Sequence, residues 1–181
     1  MKKIILICGK AGHGKTTFAN YLQEQLELRG DTVMRVANAD YLKFICQKYF
    51  NWNSQKDEAG RQLLQKVGTD IVRAKNEDFW ARNTAQLIEV FKDMFDYFIV
   101  DDVRFPNEID MFDKSEIITI KIERFTADGV YINPLMTIKQ LSHPSETSLD
   151  YRRCNYYIPN INGLDSLRNM AITLLQTIDN K

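Results

Sequence analysis

Ile4-Ile5-Leu6-Ile7-Cys8, followed directly by Gly9-Lys10-Ala11-Gly12-His13-Gly14-Lys15-Thr16-Thr17, is the stretch from which the fold is read. The first five residues are apolar and mostly β-branched, the pattern of a strand buried on both faces. The residues after them match G-x-x-x-x-G-K-[ST], a loop whose backbone N–H groups turn inward around phosphate oxygens. In that pattern Lys15 reaches the β- and γ-phosphates of a nucleoside triphosphate and the Thr16 hydroxyl holds Mg²⁺. A helix beginning after the loop turns its positive end toward the same anion. All of Gly9–Thr17 is therefore expected to bind the phosphates of a nucleoside triphosphate.

At 181 residues, with 44% hydrophobic and 27% charged residues, the chain has the composition and length of one globular domain with a full core. Lys+Arg and Asp+Glu are both 24, so there is no global basic field to attract polymeric nucleic acid. Cys8, Cys46 and Cys154 lack metal-type spacing and read as three free thiols in a reducing cytoplasm. Two lysines before the apolar run look like the start of a signal segment, but the run leads straight into the loop and reads as a core strand. No segment approaches a membrane span.

Beyond the loop, strands and helices alternate. A helix is expected from Thr16 to Gly30, with Gly30 at its end, then a strand over Thr32–Ala37. Asp40 follows beyond that strand's carboxyl end, where open parallel sheets bind ligands, and it also suits a helix N-cap. Helices are expected over Tyr41–Phe50, Asp57–Lys75 and Phe79–Met94, the last capped by Asp78. Gly68 inside the second of these is costly and implies close packing or a passing ligand.

A strand over Asp96–Val100 ends in Asp101-Asp102-Val103-Arg104. Carboxylates there are placed as a Mg²⁺ ligand or catalytic acid, and Asp101 and Asp102 are equivalent on this reading. A strand over Ile117–Ile122, a loop or short lid over Ala127–Ser142, an edge strand carrying Pro159 and a closing helix over Leu164–Ile178 complete the chain. The alternation specifies a three-layer α/β domain with a mostly parallel sheet over 1–181, a helical insertion over about 41–94 and a lid region over about 125–154.

Arginine suits an anion site because its planar fork stays charged and grips two oxygens. Arg73, Arg104, Arg124, Arg152 and Arg153 are candidates, with the pair Arg152-Arg153 as a lid contact. Glu146, in the polar loop His143-Pro144-Ser145-Glu146, is a partner for a lid arginine or for Mg²⁺-bound water, and Ser145 suits a helix start. Among the insertion's aromatics, Trp80 and Tyr41 are the candidates to stack on a base. His13 is expected to point to solvent.

Several segments resemble the deoxynucleoside monophosphate kinases of phages and their bacterial relatives. They are Gly9–Thr17, Arg61-x-x-Leu64-Gln65-x-x-Gly68-Thr69-Asp70-x-x-Arg73 with Phe79-Trp80, Asp102-Val103-Arg104-Phe105-Pro106-Asn107-Glu108, His143-x-Ser145-Glu146 and Asn160-x-Asn162-Gly163. The resemblance implies a phosphate-loop kinase fold and transfer of phosphate from ATP, with Mg²⁺, to a (deoxy)nucleoside monophosphate. It implies that the insertion holds the acceptor, with Gln65 and Thr69 near base or sugar, Arg73 near its phosphate and Trp80 against its base. It places Arg104 between the two phosphates, favours Asp102 over Asp101, and sets the turn from Asn160 near the donor adenine. A kinase of a non-nucleotide phosphorylated acceptor, of the phosphomevalonate or dephospho-coenzyme A type, is the alternative. A regulatory nucleotide-binding protein is less favoured, because no N-K-x-D motif occurs. The partner is a small molecule, with no membrane, and a homodimer is compatible with the sequence.

Overall fold

The computed structural model describes residues 3–161 and 163–179. Asn162, in the turn singled out above, lies outside the described residues. The element order is β1 (Lys3–Cys8), α1 (Lys15–Leu28), β2 (Val33–Val36), α2 (Asp40–Tyr49), α3 (Glu58–Gln65), a π-helical turn (Lys66–Arg73) and α4 (Phe79–Phe91). β3 (Tyr97–Val103), α5 (Pro106–Asp110), β4 (Ile117–Thr126), β5 (Gly129–Val130), α6 (Ile138–Leu141), α7 (Pro144–Thr147), β6 (Tyr156–Asn160) and α8 (Gly163–Asp179) follow. None of the described helices is long and apolar enough to cross a membrane.

β1 is the central strand. It pairs in parallel with β3 (Ile5 opposite Ile99) and with β4 (Ile5 opposite Ile118). β2 joins the far side of β3, and β6 the far side of β4, where Pro159 faces Glu123. The parallel sheet therefore runs β2-β3-β1-β4-β6, and Pro159 lies on an edge strand, where a residue without an N–H is best tolerated.

The alternation of side chains along β1 sorts the core into two layers. Ile5 and Ile7 pack with Phe18, Leu22 and Leu26 of α1 and with Leu167, Ala171 and Leu175 of α8. Ile4, Leu6 and Cys8 point the other way, against Ile88 of α4, Ile109 of α5 and Leu149. A strand covered on both faces must be apolar throughout, which is why β1 reads as an unbroken hydrophobic run. A third, smaller core of Leu42, Cys46, Trp52, Val67 and Trp80 belongs to the helical insertion.

Three stretches differ from the sequence expectation. The helix expected over Asp57–Lys75 ends at Gln65 and continues as the π-helical turn. Such turns store local strain and recur at functional sites. Gly68 lies inside it, and a Cβ there would stand 2.6 Å from Leu42 Cδ2, so helix α2 packs directly on this backbone. β3 extends through Asp101, Asp102 and Val103, so the acids belong to the strand itself. β4 runs on to Thr126 and folds back through β5 as a hairpin, so the expected loop begins as paired strand. Asp78 stands at the N-cap of α4 as expected, whereas Asp40 and Ser145 do not occupy caps. Asp78 makes no capping bond and binds Asn107 instead, Asp40 sits inside the first turn of α2, and His143 occupies the cap of α7.

The loop leaves β1 at Gly9, whose φ is +146°. A Cβ at this position would lie 2.3 Å from the Ile122 carbonyl oxygen of β4, a backbone atom that cannot step aside. Gly9→Ala should cost at least about 3 kcal/mol in urea unfolding, from strained backbone plus overpacking. Gly129→Ala, at a comparable φ of +114° with open space around it, should cost about half that or less.

Candidate active site

The strand ends of the parallel sheet gather the chemistry on one edge. Gly9–Thr16 leaves β1, Asn38 and Asp40 follow β2, Asp101–Arg104 ends β3, and Arg124 lies on β4. Between this edge and the insertion lies a cavity of about 450 Å³.

Lys15 is the most perturbed group of the loop. It is 8% exposed, and its ammonium donates to the carbonyls of Gly9 (2.7 Å) and Lys10 (3.0 Å). Burial, reinforced by the positive charge of Arg104, pulls its pKa from 10.5 down to about 7. A buried ammonium held by carbonyls alone is a charge awaiting an anion.

His13 does not face solvent: it is 1% exposed. Its Nε2 lies 3.0 Å from the Tyr131 carbonyl and its Nδ1 accepts from the Arg124 N–H at 3.3 Å. Those partners set a neutral imidazole protonated at Nε2, and burial lowers its pKa further. Asn160 Nδ2 donates to the His13 carbonyl at 3.1 Å. The imidazole thus ties the loop to the β4–β5 hairpin, and Asn160 ties it to β6. Thr17 enters the first turn of α1, and Thr16 lines the cavity.

The second wall carries the acids and arginines. Asp101 pairs with Arg35 at 2.5 Å. Asp102 accepts the backbone N–H groups of Asn38 (2.8 Å) and Ala39 (3.0 Å), which holds the β2–α2 turn against β3, while burial raises its pKa. Glu146 bridges two parts of the site. One oxygen accepts from the Ala11 N–H at 2.8 Å, and the other pairs with Arg104 at 2.7 Å. Lys10 is tied to Asp150 at 3.1 Å. Glu108 accepts the N–H groups of Arg104 (2.7 Å) and Phe105 (3.2 Å), and burial raises its pKa to about 7.

The insertion supplies the remaining wall. Gln65, Gly68, Thr69, Arg73 and Trp80 all line the cavity, as do Asp40 and Arg104. Gln65 donates to the Gln140 carbonyl at 3.2 Å, which links the insertion to α6. Arg73 lies 3.6 Å from the Phe105 ring centre and donates to Asn107 Oδ1 at 2.8 Å. Trp80 is 4% exposed and its indole donates to the Gly68 carbonyl at 2.9 Å, so its body serves the insertion's core and only an edge reaches the cavity. Asp40 is exposed at the rim, where it pairs with Lys43 at 2.8 Å.

Arg152 lies elsewhere. It pairs with Asp110 of α5, Arg153 is exposed, and neither lines the cavity. Arg124 stacks over the Tyr131 ring at 4.3 Å. Residues that sequence reasoning left without a role are Arg35, Asn38, Lys43, Lys56, Glu108 and Asp150. Asn38 carried a signal, because it sits beside Asp40 at a parallel strand's carboxyl end.

A family model described as deoxynucleotide monophosphate kinase matches residues 21–170. The chain belongs to the deoxynucleotide monophosphate kinase family. The match begins after the phosphate loop, so loop and family point independently to a phosphotransferase. No curated protein matches the sequence. Among solved structures, an unliganded sugar kinase from Janibacter sp. HTCC2649 is similar with a TM-score of 0.56 at 14% identity, covering 97% of this chain and 95% of that one. Shikimate kinase from Aquifex aeolicus gives 0.51 at 10% identity, covering 97% and 98%. Shikimate kinase from Acinetobacter baumannii, bound to shikimate, gives 0.51 at 16% identity, covering 100% and 96%. At such identities the likeness shows the phosphate-loop kinase fold alone.

Lys15 gives this kinase a pH signature. Below about pH 7 the folded protein carries a charged, desolvated ammonium. Between about 7 and 10.5 the unfolded chain binds the proton that the folded chain has released, so stability rises with pH. Lys15→Met removes the group. The variant should exceed the wild type in Tm most at pH 6–7, with the difference closing toward pH 10, as measured by thermal melts across that range.

Proposed function

We propose that the kinase transfers the γ-phosphoryl group of ATP to a deoxynucleoside monophosphate held in the cavity beside the insertion. The observation that carries the reading is a set of donors without hydrogen-bond partners around one space. Asn38 Nδ2, Arg61 Nε and Arg73 Nη1 are buried without a hydrogen bond, the last with only the Glu108 carboxylate 3.6 Å away, and all three residues line the cavity. Buried donors left without a hydrogen bond are costly, so three on one cavity favour a ligand rich in acceptors. Lys56 lines it too, and its pKa is lowered by partial desolvation and by Lys43, Arg104 and Arg61, a crowding of cations that an anion relieves.

Phosphoryl transfer asks the protein for in-line positioning and for positive charge on the moving group. Lys15 answers on the donor side. Arg104 lies between the loop and the cavity, held by Glu146, which also touches the loop at Ala11. The Glu146 carboxylate thus sets the spacing between the donor loop and the arginine that would meet both phosphates. Arg73 and Arg61 grip the acceptor phosphate, and Gln65, Thr69, Asn38 and the edge of Trp80 face its sugar and base. An acceptor monophosphate is already ionised, so Asp102 organises the β2–α2 turn and needs to remove no proton.

No group of three or more His, Cys, Asp or Glu among the described residues holds a metal by itself. Mg²⁺ takes one or two protein oxygens and completes its shell with phosphate and water. Thr16 and the carboxylates of Asp101 and Asp102 are the groups that would hold it, directly or through water. When bound, the ion neutralises charge on the β- and γ-phosphates. Asn160, tied to the loop through His13, stands near the position of the donor adenine.

A coupled ADP-release assay with MgATP and a panel of ribo- and deoxynucleoside monophosphates tests the reading. At least one deoxynucleotide should turn over well above background. Background rates with all of them, alongside turnover of a non-nucleotide phosphorylated acceptor, would overturn it. Arg104→Ala should lower kcat by about 100-fold or more while ATP affinity changes less than about fivefold, because its charge acts where the phosphoryl group moves.

A further inference from the structure

Cys8 is the last residue of β1, and Gly9 of the phosphate loop follows it directly. Its Sγ lies 3.6 Å from the Sγ of Cys154, 146 residues away in sequence, in the segment joining α7 to β6. Cys8 is buried and Cys154 is half-buried, so one sulfur is reachable from solvent and the other lies directly behind it. Lys121 stands opposite Cys8 on β4 and binds the carbonyls of Leu149 (3.1 Å) and Asp150 (2.6 Å) in the same segment. The pair shares polarity unequally. The Cys8 contact, Thr119, Lys121 and Arg152 draw the Cys154 thiol down to about 7, while the same contact and burial push Cys8 up. Nothing in the proposed phosphoryl transfer uses either sulfur.

The joining segment is also wired to the loop. Asp150 holds Lys10, and Glu146, just before it, holds the Ala11 N–H and Arg104. The loop cannot yield easily at Gly9, which is pressed against the Ile122 carbonyl.

We propose that Cys8 and Cys154 form an oxidisable dithiol, a modification site for a two-electron oxidant of the peroxide class, whose disulfide form weakens binding of the donor nucleotide. The Cys154 thiolate attacks one peroxide oxygen, the O–O bond breaks, and the leaving hydroxide takes a proton to become water. Cys154 is then a sulfenic acid. The Cys8 sulfur, having given up its proton, attacks the Cys154 sulfur, the S–O bond breaks, and the departing hydroxide takes that proton as a second water. Each cysteine loses one electron and the peroxide gains two. To form the bond the sulfurs close from 3.6 Å to about 2 Å. That movement draws on the segment that carries Asp150 and adjoins Glu146, and so on the loop's contacts at Lys10 and Ala11.

The covalent part stands apart from the kinase reading, and the effect on ATP rests on it. The test treats the full chain with hydrogen peroxide, blocks remaining thiols with an alkylating agent and maps peptides by mass spectrometry without reduction. A single intramolecular link between the Cys8 and Cys154 peptides is expected, with a loss of two hydrogens, reversed by dithiothreitol. Binding of a non-hydrolysable ATP analogue, measured by calorimetry, should weaken at least fivefold in the oxidised protein and recover on reduction. Cys154→Ser should bind the analogue like the reduced wild type before and after peroxide. A sulfenic or sulfinic acid without the link, a link through Cys46, or an intact link with unchanged analogue binding would each overturn the proposal. Because analogue binding needs no acceptor, failure of the deoxynucleotide assay and failure here are separate results.

Discussion

The structure depends on a buried positive charge without a negative partner in contact. Lys15 sits at the head of α1, is held by two carbonyls, and has its pKa lowered by burial. Such a placement is unfavourable for the folded protein and is sustained by the two apolar layers that clamp β1. An anion at the loop would relieve it, and the energy of the hydrophobic core would then be converted into affinity for phosphate. Gly9 completes the constraint, since its contact with Ile122 fixes where the loop leaves the sheet.

Around that charge the site is assembled from distant parts of the chain by short polar ties. His13 joins the loop to the β4–β5 hairpin, Glu146 joins it to Arg104, and Asp102 joins β3 to the β2–α2 turn. Glu108 is a further such tie, because it receives the backbone N–H groups of Arg104 and Phe105 while standing 3.6 Å from Arg73. The loop and the wall of the cavity beside the insertion are therefore spaced by carboxylates, which on the proposed reading need touch neither substrate.

Much of this was legible in the sequence where the cause is local. The apolar run into the glycine loop, the alternation of strand and helix, the close packing at Gly68 and the edge position of Pro159 all follow from what single residues permit. What was not legible has a long-range cause. His13 is buried because a hairpin more than 100 residues later supplies its partners, the Tyr131 carbonyl and the Arg124 N–H. Arg152 is drawn from the site by Asp110, which no spacing rule connects to it. The π-helical turn answers to the packing of Leu42 and Trp80 on Gly68 rather than to its own apolar period.

The proposed transfer requires the phosphate loop and the cavity beside the insertion to be occupied at the same time. Equilibrium dialysis with a non-hydrolysable ATP analogue and a deoxynucleoside monophosphate, each alone and then together, measures how many of each the protein holds. Simultaneous binding of one molecule of each, neither displacing the other, is the predicted result. Mutual displacement would mean that the cavity beside the insertion is no acceptor site and would contradict transfer between two pockets.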